Sequence, residues 1–201
     1  MHSRLLTGLR FKIASSPERE AAFALRRTVY ARDWPNVRTE AIIDAADETA
    51  HHLVALSPGR GVIAALRIVT ANRRPFDMER FISIDGLLPA DRNPAEIGRL
   101  TIAHGSRFVR RRPFVHLGML KAAIDFSREM GITDLLLTAI PRLRTFYRQG
   151  CFTDVGVQFT HETWGLVHVM RLDIMNLFQP SGTEPGLIAT FLIGKQEEID
   201  I

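Results

Sequence analysis

The segment Phe126–Phe152, FSREMGITDLLLTAIPRLRTFYRQGCF, contains the change of periodicity on which the fold turns. Its first residues finish an amphipathic helix, and Gly131 stands where a left-handed glycine closes one. TDLLLTAI is a short unbroken apolar run, typical of a central strand in parallel pairing. Pro141 then opens a second helix, PRLRTFYRQG. Upstream, PFVHLGMLKAAIDFSREMG presents Leu117, Leu120, Ala123, Ile124 and Phe126 to a core. HHLVALS and GVIAALRIVTA are β-rich runs joined by Pro-Gly-Arg-Gly, which predicts a hairpin. RLLTGLRFKIASS reads as a strand closed by Ser15, Ser16 and Pro17. The helix after it, PEREAAFALRRTVYARD, has Ala22, Phe23, Leu25 and Val29 as its inner face, with Ser15 or Ser16 as cap. FDMERFISIDGLLP reads as short helix and loop, RLTIAHG as a strand, and DVGVQFTHE and WGLVHVMRLDI as two closing strands. The order β-α-β-β-β-α-β-α-β-β predicts an α/β (α+β) fold with a mixed, mostly antiparallel twisted sheet flanked by helices. The expected organisation is one domain over residues 1–201, with a core at about 5–173 and an extension over 174–201.

Composition narrows the function. With 201 residues, 46% hydrophobic and 24% charged, the chain can bury a sizeable core. Its apolar runs are too short to span a bilayer. MHSRLLTGLRFKI lacks the pattern of a secretory leader, so a cytoplasmic location is expected. Cys151 is the only cysteine, which excludes internal disulfides and cysteine-cluster metal sites. No bound metal is expected. The net charge is +4, with lysine only at 12, 121 and 195. Arg107, Arg110, Arg111 and Arg112 form a dense run suited to phosphate or an acidic partner. No nucleic-acid-binding motif accompanies it.

The stretch PAEIGRLTIAHGS sets Glu96 and Arg99 at the start of a strand-like run. Asp44 and Asp47 are three apart, on one face if the turn is helical, and need a cation beside them. An ammonium group of a substrate, Arg26 or Arg67 would serve. Lone guanidinium groups in strands are costly to bury, so Arg67 and Arg99 are expected to be partnered.

The order of elements, with Tyr147-Arg-Gln-Gly-Cys-Phe152, resembles the GCN5-related N-acyltransferases, whose pattern is Tyr-x-x-x-Gly-Phe. Here cysteine takes the glycine's place. The first half resembles the acyl-carrier-protein-dependent branch, which holds the N-acyl amino acid synthases and the autoinducer (acyl-homoserine lactone) synthases. LRRTVYARDW supplies Arg26, Tyr30 and Trp34; IDAADETAHHL supplies Asp44 and Asp47; Arg67, Phe81, Glu96 and Arg99 follow in the branch's order. Thr49, His51 and His52 after Asp47 lean toward an amino acid as acceptor.

The resemblance implies a fatty acyl thioester donor on phosphopantetheine and a small amine acceptor. The donor rides on an acidic acyl carrier protein or on CoA; no tightly bound cofactor is implied. The acceptor is an amino acid or S-adenosylmethionine. Where acetyl-CoA users carry a glycine-rich pyrophosphate loop, this chain reads RRRPFVHLGM with Gly118 as its one glycine, which suits the carrier protein. The arginine run would then dock it. Acyl transfer to an amine needs a proton acceptor, an oxyanion donor and a proton for the leaving thiolate. Glu96 is the candidate base and Tyr147 the candidate acid. A backbone N–H near Ile102 or Ala103, freed by a bulge, is the candidate oxyanion donor. Arg26, Tyr30, Trp34, Asp44, Asp47, Arg67, Phe81 and Arg99 are the candidate substrate-binding set. Leu100, Ile102, Phe126 and Leu136 are candidates to limit acyl length. Structural roles are expected for His51, His52 and Cys151. The apolar tail suits packing on the domain or on a second copy, which leaves a homodimer open. A plain acetyl-CoA acetyltransferase and a non-catalytic acyl-binding domain are the remaining alternatives.

Overall fold

The computed structural model describes residues 8–105, 112–178 and 187–194. Among them lie seven strands: β1 (Arg10–Ile13), β2 (His51–Ser57), β3 (Gly61–Thr70), β4 (Pro94–Ile102), β5 (Asp134–Ala139), β6 (Thr153–His161) and β7 (Gly165–Asp173). The helices are α1 (Ser16–Asp33), α2 (Thr39–Ile42), α3 (Ala46–Thr49), α4 (Arg112–Glu129), α5 (Arg144–Gln149), α6 (Ile174–Leu177) and α7 (Leu187–Ile193). The strands form one sheet in the order β1-β2-β3-β4-β5-β7-β6. The parallel pair is β4–β5, while β1–β2, β2–β3, β5–β7 and β6–β7 are antiparallel. This is the mixed, mostly antiparallel sheet that the order of apolar runs predicts. No helix among the described residues is long and apolar enough to cross a membrane.

Two compact units are built on these elements. The first comprises Met1–Ile68, Arg99–Ala123 and Lys195–Ile201; the second comprises Val69–Gly98 and Ile124–Gly194.

In the first unit α1 begins where Glu18 reaches back to accept from the Ser15 N–H and hydroxyl, both at 2.7 Å. These two bonds and Pro17 in the first turn fix the start of the helix. Its buried face is Ala22, Phe23, Arg26, Val29 and Tyr30. Leu25, expected inside, is only half-buried, and Arg26 is fully buried instead. Ala22, Val54 and Ala65 form a core cluster, with Ala14, Leu56 and Val62 packed around it. Small side chains on helix and strands permit this close approach. Removing such apolar area from water stabilises by about 25 cal/mol per Å². Gly118 on α4 lies against β1: a Cβ there would stand 2.3 Å from the Phe11 ring.

In the second unit, Leu135, Leu136 and Leu137 of β5 are buried, as an unbroken apolar run demands. The parallel register with β4 covers three positions, Pro94↔Asp134 to Glu96↔Leu136. β4 therefore starts at Pro94, earlier than the expected RLTIAHG strand. Asp134 is completely buried and accepts from Arg92 Nε and Arg171 Nε, each at 2.6 Å, and from Thr133 Oγ1 at 2.6 Å. Burial opposes its ionisation, but these bonds outweigh burial and hold its carboxyl below the usual aspartate value. Arg92 and Arg171 also reach Asp173, at 2.7 and 2.9 Å, which ties the start of β5 to the end of β7. Gly131 closes α4 with φ at 64°. In the tail, Leu192 of α7 is buried and Leu187 is exposed.

Candidate active site

The first unit brings five of the sequence-predicted residues into one ion network. Arg26 extends from α1 into the core and donates from Nη1 to Asp47 Oδ1 at 2.8 Å and to the Ile42 carbonyl at 3.2 Å. Asp47 lies on the short helix α3, and its Oδ2 accepts the Asp44 N–H at 3.0 Å. Arg67 of β3 donates from Nη1 to Asp44 Oδ1 at 2.6 Å and lies 3.3 Å from Asp47 Oδ2. Arg99 completes the set, donating from Nη2 to Asp44 Oδ2 at 2.8 Å. Three guanidinium groups thus meet two carboxylates in this network.

The environment sets each charge. Burial opposes ionisation of Asp44, but the Arg67 charge and the Arg99 hydrogen bond outweigh it, and its carboxyl sits below the usual value. Burial lowers Arg26, with Asp47 only partly offsetting it. Arg26 also lies 5.5 Å over the Phe23 ring, while its Nε and Nη2 have no hydrogen-bond partner among the described residues. His52 shares Asp47 through its backbone, with Nε2 3.0 Å from the Asp47 carbonyl. Burial pushes the imidazole below its ordinary value and favours the neutral ring. An open cleft of about 690 Å³ adjoins the network, lined in part by Arg19, Phe23, Asp44, Asp47 and Glu48. Tyr30 is buried on α1, and its carbonyl accepts the Trp34 N–H that ends the helix. Trp34 is half-buried.

Backbone strain sits in the same unit. Arg99 adopts φ 56°, left-handed in the middle of a strand, which costs a non-glycine residue of order 1–2 kcal/mol. The Thr101 hydroxyl donates to the Arg99 carbonyl at 2.9 Å. This positive φ stands three and four positions before Ile102 and Ala103, where a bulge is expected from the sequence. The Ala103 N–H is engaged by the Ile63 carbonyl at 2.8 Å, which removes it as an unpaired donor. Ile102 is buried.

The second unit contains Glu96, 5% exposed, as the end of a backbone clamp. Its Oε2 accepts from the Asp77 N–H at 2.6 Å and its Oε1 from the Met78 N–H at 3.2 Å. Both amides belong to the 3-10 turn Asp77–Arg80. Phe81, which follows the turn, stacks on Phe159 at 5.0 Å and lies 4.8 Å from the His161 ring. Asp77, His161 and Trp164 escaped the sequence reading, since 19 positions separate Asp77 from Glu96 and no spacing links them to the β6–β7 hairpin. Tyr147 is half-buried on α5, edge-on to Phe152 at 5.7 Å.

Arg107, Arg110 and Arg111 lie outside the described residues, and Arg112 opens α4. Cys151 has φ 69°, the conformation for which the related pattern uses glycine. Burial pushes its thiol up, away from a reactive thiolate. No group of three or more His, Cys, Asp or Glu able to hold a metal occurs among the described residues.

The family model of the N-acyl amino acid synthase FeeM matches residues 21–173, and the chain belongs to that family of acyltransferase enzymes. Solved structures share the fold. FeeM, an N-acyl amino acid synthase from uncultured soil microbes, is 19% identical, with a TM-score of 0.68 over 83% of this chain and 91% of its own. The CoA-dependent acyl-homoserine lactone synthase BjaI is 18% identical, with a TM-score of 0.65 over 92% of this chain and 86% of its own. The AHL synthase LasI is 17% identical, with a TM-score of 0.64 over 83% of this chain and 89% of its own. No curated protein sequence matches the chain.

Proposed function

We propose that this N-acyltransferase moves a fatty acyl group from the phosphopantetheine thioester of an acidic acyl carrier protein to the amine of an amino acid. The whole chain acts as one catalytic domain in the cytoplasm. The observation that carries the acceptor reading is the Arg26–Asp47–Arg67–Asp44–Arg99 network itself, in which three guanidinium groups are gathered around two carboxylates. Asp44 and Asp47 already meet guanidinium groups, so the network's complement is the carboxylate of the acceptor rather than its ammonium. Glu96, clamped by two amides, takes the proton of the attacking amine directly or through water. Tyr147 protonates the departing thiolate. An N–H of the irregular stretch around Arg99 meets the oxyanion.

Gly118 supports the carrier protein as donor. Its open side is filled by Phe11, so the one glycine of the segment serves packing rather than close approach of a pyrophosphate. The arginine run docks the carrier protein, and activity then falls as salt rises. S-adenosylmethionine also bears an amino-acid carboxylate, which makes the autoinducer reading the alternative. Mass spectrometry of lipid extracts from expressing cells, with Glu96→Gln as control, decides. A new N-acyl amino acid absent from the control is the expected result. An acyl-homoserine lactone would move the acceptor, and no new acylated amine would overturn the reading.

A further inference from the structure

His161 is 4% exposed, and its two ring nitrogens have unlike surroundings. Nδ1 accepts from the Thr163 N–H at 2.9 Å and from the Trp164 N–H at 3.4 Å. A nitrogen that accepts from amides carries no proton, so the ring hydrogen lies on Nε2. Nε2 is buried, has no hydrogen-bond partner among the described residues, and stands 3.6 Å from Asp77 Oδ2. The ring is held from both sides, by Phe81 at 4.8 Å and Trp164 at 5.8 Å. Arg80 on the turn and Glu162 on the hairpin pair at 2.5 Å, which fastens the same two segments at their exposed side. Hence the turn that presents the Asp77 and Met78 amides to Glu96 is seated on the tip of the β6–β7 hairpin, with His161 at the contact.

We propose that His161 is a positioning residue for Glu96, acting through Asp77. This rests on the reading of Glu96 as the proton acceptor. An approach of roughly half an ångström turns the 3.6 Å contact into a hydrogen bond from Nε2–H to the Asp77 carboxylate. Such tightening is normal when a site fills. The bond holds residue 77 in the orientation from which its N–H meets Glu96 Oε2. The Glu96 carboxylate then keeps one aim through the reaction, and the amine's proton has a fixed destination.

The two halves of the ring can be separated by substitution. His161→Asn retains an acceptor for the Thr163 and Trp164 amides but has nothing that reaches Asp77. His161→Gln reaches Asp77 with an N–H and gives up the amide contacts. The expected pattern is crossed. His161→Asn, which loses only the ring packing, lowers the melting temperature less than His161→Gln and lowers kcat about tenfold with KM for both substrates little changed. His161→Gln, which loses the amide contacts as well, lowers the melting temperature further and recovers most of the lost kcat. Asp77→Asn combined with His161→Asn is no slower than Asp77→Asn alone. Wild-type kcat in His161→Asn, equal losses in both variants, or additive losses in the double variant would each overturn the proposal. Glu96→Gln measured alongside separates the two readings. If it is inactive while His161→Asn is fully active, only the positioning role falls. If Glu96→Gln is itself fully active, the reading of Glu96 falls and the positioning role with it.

Discussion

Two sets of carboxylates, Asp44 and Asp47 in one unit and Glu96 in the other, are held by opposite means. In the first, Asp44 and Asp47 are met by guanidinium groups on α1, β3 and β4, and their charge is consumed in holding these elements. In the second, Glu96 receives the amides of a 3-10 turn. Amide dipoles orient a carboxylate without cancelling its charge, as a guanidinium does. On the proposed reading, loss of an aspartate of the network costs stability first, whereas loss of Glu96 costs rate.

Asp47→Asn tests the scaffold and should have the largest effect on folding. It leaves the buried Arg26 without its counter-charge, a change of about 3–5 kcal/mol, read as the shift in urea-unfolding free energy. Glu96→Gln is the mirror case. It should cost about 1 kcal/mol of stability and at least about a hundredfold in turnover. Equal stability losses in the two variants would erase the distinction.

Acid titration sharpens it further. Burial keeps His52 of the first unit below its ordinary value of 6.5, so unfolding takes up a proton once the pH drops below that value. Stability is therefore complete above about pH 6.5 and declines below it, and His52→Gln should remove this first decline. A second loss should follow as the pH falls through the ordinary carboxylate values of 4.5 and 3.8, where Glu18 and Glu79, then Asp44, Asp134 and Asp154, lose the benefit of their depressed values. Unfolding free energies at a series of pH values resolve the two stages. The smallest effect is expected at Cys151. Its φ of 69° suits glycine, so Cys151→Gly should stabilise by up to about 1 kcal/mol, visible as a raised melting temperature.

The elements legible in the sequence are those whose signals are local. Glu18 and Pro17 announce α1, Pro58 and Gly59 the hairpin, and Gly131 the end of α4. The ordered set Arg26, Asp44, Asp47, Arg67 and Arg99 was legible as chemistry, since buried charges need partners and the resemblance supplied the order. What stayed hidden depends on contacts between distant segments. Apolar periodicity favours Leu25 over Arg26 as an inner residue, because it has no knowledge of Asp47 waiting in the core. The left-handed residue of β4 is Arg99, although Gly98 beside it is the residue type that advertises such a conformation. His161 reads as the end of an alternating strand until the hairpin brings it against residue 77.

The contact of Phe11 with Gly118 bears on how relatives of this chain can diverge. A side chain at 118 and a full ring at 11 cannot coexist, because the missing Cβ would stand 2.3 Å from the ring. The two positions are therefore not free to drift independently. A lineage that gains alanine at 118 must first, or at once, trade the phenylalanine for something smaller. Among homologues the pair should change together or stay fixed, and that coupled history would be written in β1 and α4, far apart in sequence.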